Sequence, residues 1–304
     1  MALNDSSELL ALIRRRGSIP SNAPDWPAAV VLEQATRELL ETHLPLLIAA
    51  RGEYLVKSSD LALVAGQLAY RLPARCASVR EVGYLQADGG LTPIVDNKQS
   101  DLVNDRANVN LIGRPSRYVF REHSLEVFPL PPSTSDKLRV KWHLRPSRIV
   151  ATTEAAAITA IDLDTPVAGQ TRITFATPSG SIWAAGVRFD FVKNSSPFDI
   201  PSFDVLPLSS TATTKVVTST DLSSDIAVGD WIAPAGYSPF ANCPVELHQP
   251  IALRAAAAIV SPKGDGLAAA LVGEAEKKEA QLLKGVLAPR SKGNPQVLKS
   301  RRWG

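Results

Sequence analysis

From Lys137 to Arg145, in "KLRVKWHLRP", apolar and polar residues alternate without a break. Leu138, Val140, Trp142 and Leu144 point one way, and Lys137, Arg139, Lys141, His143 and Arg145 point the other. A period of two fits an extended strand with one face buried and one in water, which puts His143 in solvent. "SLEVFPLPP" is the expected partner, with Leu125 and Val127 alternating with Glu126 and Phe128. Just before it, "RYVFREHSLEVF" reads as a hairpin with Arg121 to Ser124 at its tip. Trp142 and Phe120 are assigned to the buried face. An antiparallel β-meander over 53–150 is therefore expected.

Outside that region the period changes. "NDSSELLALIRRR" offers Asp5 as N-cap with Glu8 three residues on, an apolar stripe of Leu9, Leu10, Leu12 and Ile13, and an end at "GSIP". A second helix starts at "PDWPAAVVLEQATRELLETHLPLLIAA", with Asp25 as cap and Pro27 near the first turn. Val30, Val31, Ala35, Leu39 and Leu40 recur at helical spacing, and Pro45 should bend or end it. Two helices close the ordered chain, "VELHQPIALRAAAAIV" and "GLAAALVGEAEKKEAQLLKGVLAPR". In the last one Leu267, Leu271, Ala275, Leu282 and Val286 form the stripe, with Lys277 and Lys278 outward.

Between meander and closing helices, residues 151–244 are rich in Thr, Ser, Gly and Pro and carry short alternating runs: "TRITFAT", "SIWAAGVRFDFV", "TKVVTST" and "IAVGDWIA". They read as an inserted small β-barrel or sandwich, with Trp231 at a strand start. The fold class is α+β. Helices 1–52 and 245–288 form a bundle, strands lie between, and 289–304 is an extended tail.

The chain shows no catalytic constellation. His43, His123, His143 and His248 have no neighbour at metal-ligand spacing, and His43 and His248 read as bundle residues. Asp162 and Asp164 in "DLDTP" lack the further ligands and the glycine of a calcium loop. There is no GxSxG, Walker-type loop or GxGxxG. No enzyme activity, cofactor or metal is expected. Cys76 and Cys243 are far apart in the chain and read as half-buried thiols of a protein made in a reducing cytoplasm. No apolar run approaches the ~20 residues a membrane helix needs, and "MALNDSSELL" does not resemble a signal peptide. No membrane partner is expected.

The charge is concentrated. The total is +3, of which residues 290–304 contribute +5, leaving −2 for the rest. A nucleic-acid-binding body would spread its Lys and Arg over a folded face. The final segment, "PRSKGNPQVLKSRRWG", has Gly293 and Pro295 to keep it extended, basic residues Arg290, Lys292, Lys299, Arg301 and Arg302, and apolar Val297, Leu298 and Trp303. Apolar anchors among basic residues suit a peptide that docks in a partner's groove. Two other classes are weighed against this reading: a carbohydrate-binding or host-surface protein using Trp183, Phe189 and Phe191, and a peptidoglycan-degrading or other enzyme.

Four phrases in order, "YRLPAR" at 70–75, "LEVFPLPP" at 125–132, "VKWHLRP" at 140–146 and the basic tail, resemble the head-to-tail adaptor (connector, or neck) proteins of tailed bacteriophages, especially short-tailed ones. The resemblance covers 1–150 and about 245–304; the β-insertion departs from compact members of that family. It implies a virion neck protein forming a homo-oligomeric ring, commonly dodecameric, beneath the portal protein. The docking tail (Arg290, Lys292, Pro295, Val297, Leu298, Lys299, Arg301, Arg302 and Trp303) enters clefts between portal subunits. The lower face receives the tail tube or nozzle, the β-insertion is available to tail fibres, and genomic DNA passes through unread.

Overall fold

The computed structural model describes residues 5–50, 54–96, 111–122, 124–132, 136–164, 167–176, 187–212, 215–219, 222–263 and 266–284. It is α+β, and the chain divides into two units, Met1–Arg51 with Pro146–Gly304, and Gly52–Arg145. The β-rich stretch 151–244 groups with the helices, while 52–145 forms a unit of its own.

Asp5 opens α1 (Ser6–Arg16): its carboxylate accepts the Ser7 and Glu8 N–H groups at 2.9 and 3.0 Å. Leu9 and Ile13 are buried, and Gly17 ends the helix. In α2 (Ala28–Glu38) the N-cap is Pro27 with no side-chain cap, so Asp25 does not play the expected part. Nor does Pro45 end the helix. A π turn at Leu39–His43, in which the Leu44 N–H reaches back to the Leu39 carbonyl, leads into α3 (Leu44–Ala50). Proline lacks an N–H and its ring crowds the preceding turn; a widened turn just before it relieves both problems.

α4 (His248–Val260) is the most buried helix, and α1, α2 and α5 (Leu267–Lys284) all pack against it. Its run of alanines, Ala255 to Ala257, is buried and leaves room for close approach. On α5, Leu271 and Ala275 are buried, but Leu267 is well exposed. Thr36 on α2 donates to the Leu32 carbonyl (2.9 Å) and accepts the Ile149 N–H (3.0 Å), pinning the short strand β9 (Arg148–Ile149) to that helix.

Unit Gly52–Arg145 holds two four-stranded sheets. In the first, β8 (Lys137–Leu144) lies between β1 (Val56–Ala62) and β3 (Cys76–Leu85), with β4 (Leu91–Pro93) beyond β3. All four inward residues of β8 are fully buried, as the alternation predicts. Its outward bases meet acids on both neighbours: Arg139 with Asp60 at 2.8 Å and Lys141 with Glu81 at 3.0 Å. The second sheet has the order β2 (Ala69–Arg71), β7 (Ser124–Phe128), β6 (Arg117–Arg121) and β5 (Val95–Asp96). The β6–β7 hairpin forms as read, Arg121 opposite Ser124.

Three expectations fail here. β7 does not pair with β8, because Pro129, Pro131 and Pro132 follow β7 and offer no N–H to continue a ladder into the next strand. His143 is buried: the ladder shifts by one between Cys76 and Ser78, and its Nδ1 donates to the Tyr54 carbonyl at 2.8 Å. Phe120 is 44% exposed near the tip of the hairpin, although Leu125 opposite it and Tyr118 and Val127 on the same face are buried.

The third sheet has seven antiparallel strands in the order β13 (Ser202–Val205), β12 (Phe189–Val192), β16 (Trp231–Pro234), β10 (Ala156–Leu163), β11 (Gln170–Phe175), β15 (Lys215–Ser219) and β14 (Ser209–Ala212). The register of β10 slips between Ile158 and Ala160, a bulge that bends the strand. β10 pairs with β16 through Ala156 and Ala157 and with β11 beyond them. The two arms curl over one core that includes Ile158, Ile173, Phe175, Phe189, Phe191 and Ile232, a half-barrel. Trp231 does start a strand.

A buried carboxylate ties one arm together. Asp190 accepts the Asp204 and Gly236 N–H groups, each at 2.9 Å, and the Ser147 hydroxyl at 3.3 Å. Gly236, at φ +85°, makes the turn from β16 into β17 (Tyr237–Ser238) and aims its N–H inward. Asp190→Ala leaves two half-buried N–H donors and the buried Ser147 hydroxyl without this acceptor. It should lower the stability of the folded chain by about 3 kcal/mol in urea titrations, more than Asp164→Ala at an exposed turn.

Candidate functional site

The chemistry of the helical layer centres on one carboxylate. Glu279 of α5 stands in the apolar stripe one turn after Ala275 and is 7% exposed. Arg254 of α4 grips it with both arms of its guanidinium, Nε to Oε1 at 2.6 Å and Nη2 to Oε2 at 2.8 Å. From the π turn, the fully buried His43 brings Nε2 to 3.0 Å from Oε1, in ion-pair range though off the axis of a hydrogen bond. Its Nδ1 donates to the Glu38 carbonyl at 3.0 Å, which orients the ring. Burial alone would raise the Glu279 pKa; the Arg254 hydrogen bonds, with His43 and both charges, outweigh it and hold the group at about 2.

Two open grooves flank α1. One, about 490 Å³, lies against the chain that follows α1: Leu10, Ala11 and Ile19 give it an apolar floor, and Arg14 and Arg15 line it. Arg14 Nη2 reaches the Trp26 carbonyl at 3.5 Å, while among the described residues its buried Nε has no hydrogen-bond partner. The other, about 420 Å³, runs between α1 and α5, past Leu12 and Leu271, with Arg16 and Glu274 3.7 Å apart.

The residues singled out in the sequence fare differently. Arg290, Lys292, Pro295, Val297, Leu298, Lys299, Arg301, Arg302 and Trp303 lie outside the described residues, as do His123 and Trp183. His248 is buried at the start of α4 and stacks on Phe198, centroids 5.5 Å apart. Burial pushes its pKa down to about 4, so it is neutral at physiological pH. Phe189 and Phe191 are spent in the half-barrel core and offer no aromatic platform. Asp164 accepts the Gly169 N–H at 2.9 Å within its turn. Cys243 is fully buried and Cys76 half-buried; burial raises both thiols, so neither is a poised nucleophile. Among the described residues no group of three His, Cys, Asp or Glu stands where it could hold a metal ion, and no helix is long and apolar enough to cross a membrane.

The sequence profile of the SU10 adaptor proteins matches residues 4–180, from the start of α1 to just past β11. The chain belongs to the SU10 adaptor protein family. This is a family of structural phage adaptors, not of enzymes. No curated protein matches the chain. The match runs past 150, where the phrase-by-phrase resemblance stopped, into the first hairpin of the half-barrel. The closing helices and basic end of this SU10 adaptor fall outside it.

Sequence reasoning missed Glu279, Arg254 and His43 as a group. A signal was present: in the stripe 267, 271, 275 the next position holds an acid, and from Pro250 on α4 carries a single arginine among apolar residues. Removing one partner of a buried ion pair strands the other, so Glu279→Ala should cost about 3–5 kcal/mol and Arg254→Ala a similar amount, read by chemical denaturation. The carboxyl pKa falls on folding from the ordinary 4.5 to about 2. Its stabilisation is complete above about pH 4.5 and fades as pH drops toward 2; in Glu279→Gln the acid limb of the stability curve should flatten over that window.

Proposed function

We propose that this SU10 adaptor is the head-to-tail adaptor of a phage neck, in a virion of the short-tailed kind. Copies form a dodecameric ring below the portal. The tail residues Arg290 to Trp303 insert between portal subunits, and the lower face takes the tail tube or nozzle. DNA passes through the channel without sequence readout, and the half-barrel offers a surface to tail fibres. The observation that carries the reading is the family match over 4–180. The bundle of opening and closing helices would supply the ring's wall, and near-neutral bodies suit close packing.

A ring needs a head-to-tail interface that closes on itself, each copy offering one face to one neighbour and a different face to the next. The tail's +5 charge and apolar anchors fit an extended peptide that orders on docking. Many tails engaged at once give avidity well beyond that of one.

Native mass measured on the protein alone and mixed with portal protein tests this. The mixture should form a large symmetric complex. Deleting 290–304 should abolish attachment while the circular dichroism and unfolding midpoint of the chain stay unchanged. Full occupancy of portals by the truncated chain would remove the tail from the proposed role.

A further inference from the structure

Among the described residues, the sheet of β1, β8, β3 and β4 ends on one side at β1 (Val56–Ala62). That edge is open. Leu144 donates to the Leu55 carbonyl at 2.8 Å and Leu63 to the Asp136 carbonyl at 3.1 Å, and the register between β1 and β8 runs without a shift. In an antiparallel ladder alternate residues turn both backbone groups to the partner, so Lys57, Ser59 and Leu61 follow Leu55 and Leu63 toward β8. Val56, Ser58, Asp60 and Ala62 turn their N–H and C=O groups the other way, and the last three are exposed. Proteins blunt such edges with prolines, bulges, very short strands or charged side chains. β1 has seven residues, no proline and no bulge. Asp60, the charge on its solvent face, is drawn back over the sheet by both arms of Arg139, at 2.8 Å each.

We propose that β1 of one copy pairs antiparallel with β1 of a second copy about a two-fold axis at Ser59, joining their sheets into one. The other described edge strands are poor partners. β2 and β4 have three residues and β5, β9 and β17 two, while β13 passes through Asp204 at φ +52° and β14 carries a register shift. Among these edges only β1 matches β1 in length. In this register Val56 faces the partner's Ala62, Ser58 the partner's Asp60 and Lys57 the partner's Leu61, so no like charges meet. Centring the pair on Asp60 would set carboxylate against carboxylate, and centring it on Ser58 would leave Leu61 and Ala62 opposite residues outside the strand. The outward residues of the two copies exchange about eight backbone hydrogen bonds. The contact stands apart from the ring reading: a two-fold pairing closes at two copies and cannot run around a ring. It describes the chain before assembly, with an edge that invites aggregation covered.

On the axis Ser59 stands opposite its own copy at a non-hydrogen-bonded pair, where Cα atoms come within about 4.5 Å, a separation that a disulfide spans. Full-length Ser59→Cys, oxidised with glutathione disulfide, should give about five-fold more disulfide-linked dimer than Ser58→Cys, whose thiol faces the partner's Asp60. The wild type, with Cys76 and Cys243, sets the background. Ser58→Pro removes an outward N–H and leaves the β8 ladder intact. Its circular dichroism and unfolding midpoint should match the wild type, while the concentration-dependent dimer that the wild type shows in sedimentation velocity disappears. Equal disulfide yields from Ser59→Cys and Ser58→Cys overturn the pairing. So does a wild type that sediments as a single copy at every concentration, or a folded Ser58→Pro chain that dimerises as tightly as the wild type.

Discussion

The Arg254–Glu279 grip, with His43 against it, gives the helical layer its register. α4 presents a nearly uniform apolar surface, and its alanines would pack about as well after a small slide or rotation. Arg254 is the one charge on that helix, and the carboxylate it needs is on α5. A bidentate guanidinium–carboxylate pair tolerates little displacement, so it selects a single arrangement from among those the apolar contacts permit. His43 extends the constraint to the π turn, and thereby to the Pro45 segment, without adding another hydrogen-bonded partner. Three stretches distant in sequence are held by one side chain.

What could be read beforehand followed from periodicity. The β8 alternation, the Asp5 cap, the β6–β7 hairpin and the Trp231 strand start were legible because each depends on residues close in sequence. The failures depend on residues far away. His143 looks like a solvent residue until the Tyr54 carbonyl closes over it, and β7 looks like the partner of β8 until β1 and β3 supply Asp60 and Glu81. Glu279 was passed over for the same reason: at helical spacing an acid breaks the stripe, and its counter-charge is on another helix. At the candidate site the grooves beside α1 were not legible at all, because they need the chain after α1 and the flank of α5 to exist as walls.

The family match and the half-barrel divide the chain unequally. The β10–β11 hairpin lies within the matched stretch, while β16, β12 and β13 on one side and β15 and β14 on the other lie beyond it. The matched stretch thus ends within the half-barrel, whose further strands extend the hairpin in both directions around a single core. Both arms depend on the bulge at Ile158–Ala160, which turns a flat ladder into a curved one.

The buried position of α4 also bears on how the chain comes to be folded. Leu9, Ile13, Val31 and Ala35 belong to helices that leave the ribosome before the half-barrel strands, yet α4, against which those helices pack, is encoded after them. Until it arrives, an amphipathic hairpin of helices stands with its apolar side open. A nascent chain in that state favours chaperone attention, and contacts of such long sequence separation close slowly. Synthesis itself thereby sets a clock: the helical layer can be finished only after the half-barrel strands have already emerged.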